Sequence, residues 1–451
     1  GDKDNGKKYI QDAIANGAIA VITESYINVS KDIPFGLVNN PRKIMGKISK
    51  QLWSNPDKNI KIIGITGTNG KTTTAFLLRS ILENAGYKTG IIGTTGIYYD
   101  NTYLESKLTT PDSLEINKYL ACMEKAGTEY LIMEVSSHSL IQERVAHLNF
   151  VAGIFTNISR DHLDYHKTME NYINAKSILF KNLGENSYAI LNYDDPVSFT
   201  LKKLTKANLV FFSLLKQNSS VYAKNIILDG VKTNFSLILS NQEENIKFSL
   251  LGSYNIYNAL AAAGCAFALK IDCKSIVKGL NNPKAGPPGR LEYITDQNNV
   301  YKIFIDFAHT PQALESLLIT IKKLNPRQLI LVFGCGGERD HGKRLLMGKI
   351  ASKYSSYSLI ANDNPRSEDP MQIAQEISRG FFDSSRYEIC LDRSQAIKKS
   401  IEKAQKRDII VIAGKGHEKF QTTGNNKIQF CDAEEVKKYL KNKKILVVPF
   451  M

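Results

Sequence analysis

Short apolar runs alternate with segments of helical periodicity over most of the 451-residue chain. The run KIIGIT at residues 61–66 predicts a buried strand, and residues 72–84 after it predict a helix. More strands are predicted at residues 18–23, 90–92, 130–135, 153–156 and 188–191. More helices are predicted at residues 10–16, 42–53 and 259–269. This alternation is typical of an α/β protein with a mostly parallel sheet.

A turn-rich stretch at residues 281–289 (NNPKAGPPG) interrupts the pattern and predicts a domain boundary. Beyond it, strands are predicted at residues 302–306, 328–333, 358–361 and 408–413, with helices between them. The last third is therefore expected to form its own Rossmann-like, doubly wound domain. A second break at residues 54–57 predicts a linker. We thus expect three domains, at residues 1–57, 58–285 and 286–451, and a mobile last domain hinged near residues 283–289.

Composition changes this picture little. The 59 Lys and Arg residues exceed the 44 Asp and Glu residues by 15, but the lysines are scattered, which favours solvated faces over a nucleic-acid surface. The six cysteines are far apart and form no C-x-x-C pair, which predicts reduced thiols in a cytoplasmic protein. We expect no membrane insertion, because no apolar run approaches the roughly 18 residues needed to cross a bilayer. We expect no signal peptide, because the opening GDKDNGKKYI has no apolar h-region and no cleavage site.

The strongest local signal is the loop between the strand at residues 61–66 and the helix after it. Glycines let the backbone approach an anion, and amides at a helix N-terminus point toward phosphate. Lys71 adds positive charge and Thr72 can bind Mg²⁺. Five residues before Gly70 stands Ile65, so the spacing differs from that of an ordinary kinase or GTPase loop. The predicted phosphate-binding residues are Gly67, Thr68, Asn69, Gly70, Lys71, Thr72 and Thr73.

Titratable groups also follow other predicted strands of the central domain. Glu134 would face the phosphate loop and could hold a metal that bridges phosphate oxygens, although a helix cap or a solvated turn is an alternative. The segment TNISRDHLDYH concentrates polar groups that could bind a divalent ion or phosphate. His162 has few purely structural explanations there, whereas Asp161 and Asp164 could be helix caps. Lys176 lies in a helical stretch, where the pattern alone predicts an exposed side chain.

Three polar loops follow three strands of the last domain, at residues 334–340, 363–366 and 414–418. Because the carboxyl ends of parallel strands meet at one edge of a sheet, these loops are expected to form one rim. Arg339 and Arg366 could bind carboxylates through forked hydrogen bonds. Asp363 and Glu418 could hold an ammonium group. The rim is therefore predicted to bind a zwitterion.

The ordered motifs resemble those of the Mur ligase family of ATP-dependent amino-acid ligases over nearly the whole chain. They are TGTNGKTT, EVSSH, TNISRDHLDYH, LGSYNIYNALAAA, GRLE, DFAHTP, GCGGERD, DNPR and GKGHE. The resemblance implies that residues 1–57 are the later part of a UDP-binding domain, followed by a central P-loop ATPase domain and a Rossmann-like amino-acid-binding domain. It also implies a cytoplasmic, monomeric enzyme of peptidoglycan precursor synthesis, and hence of cell wall biogenesis, cell shape and cell division.

The implied reaction joins meso-diaminopimelate to UDP-N-acetylmuramoyl-L-alanyl-D-glutamate through an acyl phosphate, with ATP and Mg²⁺. By the same resemblance, Lys71, His162 and Lys176 are catalytic, with Lys176 carbamylated. The implied metal ligands are Thr72, Glu134, His162 and Lys176. The implied ATP contacts beyond the loop are Asn258, Arg290, Asp306 and His309. The implied muramoyl-peptide contacts are Thr109, Thr110, Ser136, Gln142 and Arg144. The implied amino-acid contacts are Arg339, Asp363, Asn364, Arg366, Gly414 and Glu418.

Two alternatives remain open from the sequence. Another ligase of the same family would add lysine, or would add glutamate to folate; Arg366, which could bind the carboxylate that lysine lacks, favours diaminopimelate. A nucleotide-gated binding protein or a nucleic-acid ATPase is favoured by the isoelectric point of about 9.3. No basic and aromatic stripe supports that second alternative, so no nucleic-acid partner is expected.

Overall fold

A computed structural model describes residues 6–26, 33–217, 219–229, 232–282, 286–295 and 302–442. The first segment contains helices α1 (Ile10–Ala15) and α2 (Pro41–Leu52) and the parallel strands β1 (Val21–Thr23) and β2 (Phe35–Leu37). Asn40 caps α2, because its Oδ1 accepts a hydrogen bond from the Lys43 amide at 3.1 Å. Both predicted helices are confirmed, and β1 is shorter than the predicted strand. The predicted linker contains Ser54 and Asn55, both with positive φ, before a 3₁₀ turn at Pro56–Lys58.

The central domain is built on one large sheet. Its strands are β3 (Lys61–Thr66), β4 (Thr89–Gly93), β5 (Gly96–Tyr99), β6 (Thr102–Leu104), β7 (Tyr130–Glu134), β8 (Phe150–Phe155), β9 (Tyr188–Asn192), β10 (Asn208–Ser213), β11 (Val221–Asp229), β12 (Lys232–Leu239) and β13 (Gln242–Phe248). Within the described residues their order is β13-β12-β11-β10-β9-β8-β3-β7-β4-β5-β6. The strands from β4 to β11 in this order are parallel, and both margins are antiparallel. The phosphate loop thus leaves the middle of the sheet.

Helices cover both faces of this sheet. They are α3 (Lys71–Asn84), α4 (Ser113–Lys125), α5 (Ser137–Ile141), α6 (Leu163–His166), α7 (Met169–Lys181), α8 (Val197–Leu204), α9 (Ser253–Ala268) and α10 (Cys273–Asn281). Ile63 and Ile65 of β3 pack in one apolar cluster with α3 and α9, while Ile62 packs in a second cluster with α4 and α7. A strand that is buried on both faces explains the continuous apolar run KIIGIT.

The last domain has a separate sheet of strands β14 (Glu292–Thr295), β15 (Lys302–Asp306), β16 (Leu329–Phe333), β17 (Tyr357–Ile360), β18 (Tyr387–Ile389) and β19 (Ile409–Ala413), in the order β14-β15-β19-β16-β17-β18. Strands β20 (Phe420–Thr423) and β21 (Asn426–Gln429) form a hairpin. The helices are α11 (Pro311–Lys322), α12 (Gly342–Tyr354), α13 (Pro370–Ser378), α14 (Arg393–Lys403) and α15 (Asp432–Asn442). All strands from β15 to β18 in this order are parallel, which confirms the predicted doubly wound architecture.

The predicted domain limits and the predicted hinge remain predictions. Residues 283–285, which belong to both, lie outside the described residues. The two large sheets end and begin on either side of this segment, at Phe248 and Glu292. In the part of the chain that the structure describes, no helix has the length and apolar character needed to cross a membrane.

Candidate active site

The phosphate loop joins β3 to α3 and surrounds the side chain of Lys71. Gly67 has φ of +146° and Gly70 has φ of +87°, which side chains rarely adopt. A Cβ atom on Gly67 would also lie 1.9 Å from the Thr156 hydroxyl oxygen, so glycine is required for space as well as for conformation. The Lys71 Nζ donates to the carbonyl oxygens of Gly67 and Thr68, both at 2.9 Å. Burial lowers the pKa of Lys71, and the charges of nearby carboxylates oppose this shift.

Glu134, at the end of β7, points into the protein beside this loop. The residue is buried, and its two carboxylate oxygens accept hydrogen bonds from the amide and the hydroxyl of Thr94, each at 3.0 Å. A solvated turn is therefore excluded. A Cβ atom on Gly93 would lie 2.3 Å from the Glu134 Oε1, so the small residue leaves the carboxylate room to turn toward the loop.

Lys176 is buried, so the exposed side chain predicted from the pattern is wrong. Only 2% of the residue is accessible, and its Nζ donates to the Gly67 carbonyl at 2.8 Å and lies 4.5 Å from the ring centre of Tyr172. Burial lowers the pKa of Lys176 well below its usual value, and the positive charge of Lys71 lowers it further. Helical periodicity misled because α7 turns this polar side chain toward the sheet with its apolar neighbours.

His162 and Asp161 approach the loop from the segment after β8. His162 has a left-handed φ of +55°, and its ring nitrogen Nε2 lies 3.4 Å from the Asp161 carboxylate. Burial lowers the pKa of His162 to about 3, although the Asp161 charge opposes this. Burial alone would raise the pKa of Asp161, but the surrounding His162, His309, Lys343 and Lys71 lower it. The Asp161 Oδ1 accepts a hydrogen bond from the His162 amide at 2.9 Å directly before α6, as the capping alternative expects for Asp161, whereas Asp164 lies inside the helix.

A cavity of about 310 Å³ opens beside the loop, between the two large domains. The Asn258 Nδ2 donates to the Asn255 Oδ1 at 3.1 Å, and an Arg290 Nη donates to the Thr72 hydroxyl at 3.3 Å. Burial raises the pKa of Asp306, and the Arg290 charge opposes this. The structure thus brings Asn258, Arg290 and Asp306 together with the loop residues Asn69, Gly70 and Thr73.

Sequence reasoning missed two carboxylates that line the same cavity, Asp194 and Asp195. Asp194 accepts from the Tyr257 hydroxyl at 2.8 Å, and Asp195 accepts from the Ile158 amide at 2.8 Å. Both lie within three residues of the end of β9, so the criterion that identified Glu134, an acid at the end of a buried strand, could have found them.

A second cavity, of about 250 Å³, is lined by both large domains. Lys71 lines it from the central domain and Arg366 from the last domain, so the phosphate loop and the predicted zwitterion rim border the same cleft. The predicted site residues that line it are Thr68, Asn69, Gly70, Lys71, Thr72, Thr109, Glu134, Ser136, His162, Arg290, His309, Arg339, Asp363, Asn364, Arg366, Gly414 and Glu418.

The predicted muramoyl-peptide residues gather beside the end of β7. Thr110 is fully buried, and its hydroxyl donates to the Glu134 carbonyl at 2.8 Å. Arg144 donates to the Thr110 carbonyl at 2.7 Å and to the Gln142 side-chain oxygen. Thr109 and Ser136 line the cleft, whereas Thr110 lies behind them.

On the opposite wall, the loops of the last domain hold each other in place. Arg366 has a left-handed φ of +55°, and its Nη1 donates to the Gly337 carbonyl at 2.5 Å. Glu418 accepts hydrogen bonds from Asn364 and from Lys415, a residue that sequence reasoning missed. Lys415 sits within GKGHE, and a lysine beside two glycines gave no signal that it would be buried.

An ion pair joins the two walls beside the cleft. The Arg160 Nε lies 2.8 Å from the Asp340 Oδ2, and an Arg160 Nη lies 3.1 Å from Oδ1. The pair therefore has the forked geometry that fixes orientation as well as distance.

The donors around the loop fit Mg²⁺ better than they fit a transition metal. Thr72 offers a hydroxyl and Glu134 a carboxylate, and oxygen donors are what Mg²⁺ prefers. Among the described residues, no group of three or more His, Cys, Asp and Glu side chains could hold a metal by itself. This composition suits an ion that takes few protein ligands and completes its shell with phosphate oxygens and water.

A phosphate loop and a rim of arginines and carboxylates that line one cleft from two domains are the arrangement expected of an ATP-dependent ligase. Residues 65–266 match the Mur ligase middle domain, and residues 289–416 match the Mur ligase glutamate ligase domain. The UDP-N-acetylmuramoyl-L-alanyl-D-glutamate--2,6-diaminopimelate ligases of Clostridium perfringens (strain 13 / Type A) and Clostridium botulinum (strain ATCC 19397 / Type A) are 42% and 41% identical to this chain. The alignments cover 98% and 97% of this chain and 91% and 90% of those proteins. This chain belongs to the Mur ligase family.

Solved structures agree with this assignment. A solved structure of a UDP-N-acetylmuramoyl-L-alanyl-D-glutamate--2,6-diaminopimelate ligase aligns with a TM-score of 0.69 at 33% identity, over 97% of this chain and 90% of that one. The folylpolyglutamate synthase of Mycobacterium tuberculosis, complexed with ADP and AMPPCP, aligns with a TM-score of 0.69 at 17% identity, over 83% of this chain and 93% of that one. The second likeness shows a shared fold.

Proposed function

We propose that this enzyme joins meso-2,6-diaminopimelate to UDP-N-acetylmuramoyl-L-alanyl-D-glutamate at the expense of ATP. The observation that carries the proposal is the cleft that Lys71 lines from the central domain and Arg366 from the last domain. The two clostridial relatives named for this ligation align with at least 97% of the chain, which supports the same substrates. The product is a precursor of peptidoglycan, made by a cytoplasmic and monomeric enzyme.

The first step transfers the γ-phosphoryl group of ATP to the γ-carboxylate of the D-glutamyl residue. A carboxylate oxygen attacks phosphorus, the bond to the ADP oxygen breaks, and ADP leaves. Lys71 and the amides at the N-terminus of α3 stabilise the charge on the phosphoryl oxygens. Thr72 and Glu134 would hold Mg²⁺, which supplies further positive charge to the phosphates when bound. Asn258, Arg290, Asp306 and His309 bind the rest of the nucleotide.

The second step forms the amide bond. The neutral amine of diaminopimelate attacks the acyl carbon, and the tetrahedral intermediate then expels phosphate and loses a proton. Arg339 and Arg366 bind carboxylates of the amino acid, while Asp363 and Glu418 hold its distal ammonium group beside Asn364 and Gly414. Thr109, Thr110, Ser136, Gln142 and Arg144 position the muramoyl peptide at the other wall. Holding both reactants in one cleft replaces a bimolecular encounter with a local one.

Lys176 is proposed to act as a carbamate. Its neutral amine adds to CO₂, a nitrogen–carbon bond forms, and one proton is released to solvent. The new carboxylate oxygens would give a second Mg²⁺, shared with His162, the hard ligands that an amine cannot supply. Burial of Lys176 and the lowered pKa of its amine support this chemistry, because only the neutral amine reacts.

The function is tested by phosphate release with ATP and the muramoyl dipeptide, comparing diaminopimelate with lysine. Diaminopimelate should be used and lysine should not. Arg366→Ala should lower kcat/KM for diaminopimelate about 10- to 150-fold, because a charge-assisted hydrogen bond to a carboxylate is lost. Binding of a fluorescent ATP analogue should be unchanged.

Arg379→Ala is the matched control, because Arg379 is an exposed arginine of the same domain. Equal or better turnover of lysine would favour the lysine-adding alternative. Turnover only with a folate and glutamate would favour the folylpolyglutamate alternative.

A further inference from the structure

Lys415 carries an ammonium group that is completely enclosed by the last domain. The residue has no accessible surface, and it lies in the loop directly after β19. Its Nζ donates to the Asn364 Oδ1 at 3.2 Å, to the Glu418 Oε2 at 2.8 Å and to the Phe420 carbonyl at 2.7 Å. An ammonium group has three protons, so these partners use all of them. Such complete pairing is what makes a buried charge tolerable.

Two of these partners also bond each other and thereby close a triangle. The Asn364 Nδ2 donates to the Glu418 Oε2 at 2.8 Å. The Asn364 Oδ1 accepts from the Thr422 amide at 2.9 Å as well as from Lys415. With its oxygen held by two donors and its nitrogen by a carboxylate, the Asn364 amide has one orientation. Asn364 and Lys415 both donate to the Oε2 of Glu418, which leaves Oε1 for a ligand.

The triangle borders the cleft. Asn364 and Glu418 line the cavity together with Arg366 and Asp363, whereas Lys415 is behind them and does not line it. A purely structural lysine would need partners only in the core. Here, two of its three partners are residues that line the cleft.

We propose that Lys415 is a positioning residue, which sets the affinity for the amino-acid substrate by holding Asn364 and Glu418 in place. The proposal rests on the function proposed above. With Lys415 present, the Glu418 carboxylate keeps one oxygen turned toward the ammonium group of the substrate. Without it, Glu418 loses its counter-charge and the Asn364 amide loses one of the two donors that fix it.

The test is steady-state kinetics of the full-length Lys415→Met variant, with each substrate varied in turn. The KM for diaminopimelate should rise about 10- to 100-fold, because a charge-assisted network is lost. The KM for ATP and the KM for the muramoyl dipeptide should change less than about threefold, within the spread expected for sites that share no partner. If the variant instead unfolded the last domain in part, the KM for diaminopimelate would not rise selectively over the other two.

Arg327→Met is the matched control for stability. Arg327 pairs with the buried Asp408 at 2.6 Å, at the opposite end of β19 from Lys415, and it does not line the cleft. This variant should lower the melting temperature while leaving all three KM values near those of the wild type. If Lys415→Met behaves in the same way, Lys415 has only a structural role and the proposal is overturned.

A double variant keeps the proposal testable if Lys415→Met does not fold. Lys415→Met combined with Glu418→Gln leaves no unpaired buried charge. The Asn364 oxygen keeps its hydrogen bond from the Thr422 amide in this variant, so Lys415 should act mainly through Glu418. The double variant should then have a KM for diaminopimelate within about threefold of Glu418→Gln alone. A KM at least 10-fold above that of Glu418→Gln alone would overturn the proposal. The wild-type protein tests the proposed function separately, since failure to use diaminopimelate there would not involve Lys415.

Discussion

Breaking the ion pair between Arg160 and Asp340 should loosen the contact between the central and last domains. Exposed ion pairs contribute about 0.2–1 kcal/mol, and hydrogen bonds to charged groups about 1.5–3 kcal/mol. This pair lies between these cases, because 45% of the Arg160 side chain but only 8% of the Asp340 side chain is accessible. We therefore expect a coupling of about 1–2 kcal/mol, or a 5- to 30-fold shift away from the docked arrangement.

Asp340→Asn isolates the charge from the rest of the contact. The Asp340 Oδ1 also accepts from the Gly342 amide at 2.9 Å, and an asparagine oxygen can keep that bond. A double-mutant cycle with Arg160→Met, read as kcat/KM for the amino acid, measures the coupling. Glu402→Gln, which breaks an exposed pair with Lys398 within α14, should change nothing. If the two changes at the domain contact multiply without coupling, the pair does not hold the walls together.

The pH dependence of this contact follows from the carboxyl group. The hydrogen bond from Arg160 lowers the pKa of Asp340, and the pairing outweighs a smaller opposing effect of burial. The pKa in the folded protein is thus below the value of about 3.9 in an unfolded chain. The stabilisation is complete above that unfolded value and is lost as pH falls through the folded pKa. The difference in melting temperature between wild type and Asp340→Asn should be constant from pH 5.5 to 8 and shrink below about pH 4.

Two further changes test the phosphate loop and the buried Lys176 beside it. Gly67→Ala should abolish ATP binding in a fluorescent-nucleotide titration, because the new Cβ would lie 1.9 Å from the Thr156 hydroxyl. Gly86→Ala is the control: φ is +88° there and nothing lies within 4 Å of the new Cβ. It should lower the free energy of unfolding, measured by melting, only by the conformational penalty of about 1 kcal/mol. Lys176→Met should lower turnover at least about 100-fold. Its melting temperature should not fall, since a buried amine is replaced by an apolar chain. Wild-type enzyme depleted of CO₂ should recover phosphate release when bicarbonate is added, and the variant should not. Turnover that is indifferent to CO₂ would exclude the carbamate.

The pattern of apolar residues was sufficient to predict an element when both of its faces are buried. The run at β3 (Lys61–Thr66) matches its predicted bounds, because a strand covered on both sides must be apolar throughout. It failed at the margin of the sheet. β13 (Gln242–Phe248) is mostly polar, since only Ile246 and Phe248 are buried, and its pairing with β12 is not encoded in any apolar run.

The sequence pattern also failed to predict which charged residues are buried. Lys176 and Lys415 are both buried, and each is held by carbonyl or side-chain oxygens from other parts of the chain. Periodicity describes one element at a time, so it cannot show that a second element will supply a partner. The loops of the rim were predictable for the opposite reason, because the ends of parallel strands meet at one edge in any doubly wound sheet.

The left-handed backbone at Arg366 sets stability and selectivity against each other. A side chain at φ of +55° costs about 1–2 kcal/mol that glycine would not incur. Selection for thermostability alone should therefore enrich the substitution Arg366→Gly, which would remove the proposed contact to one carboxylate of the amino acid. Laboratory evolution of this enzyme for heat tolerance should therefore reduce its selectivity between amino-acid substrates, unless substrate selectivity is screened at every round.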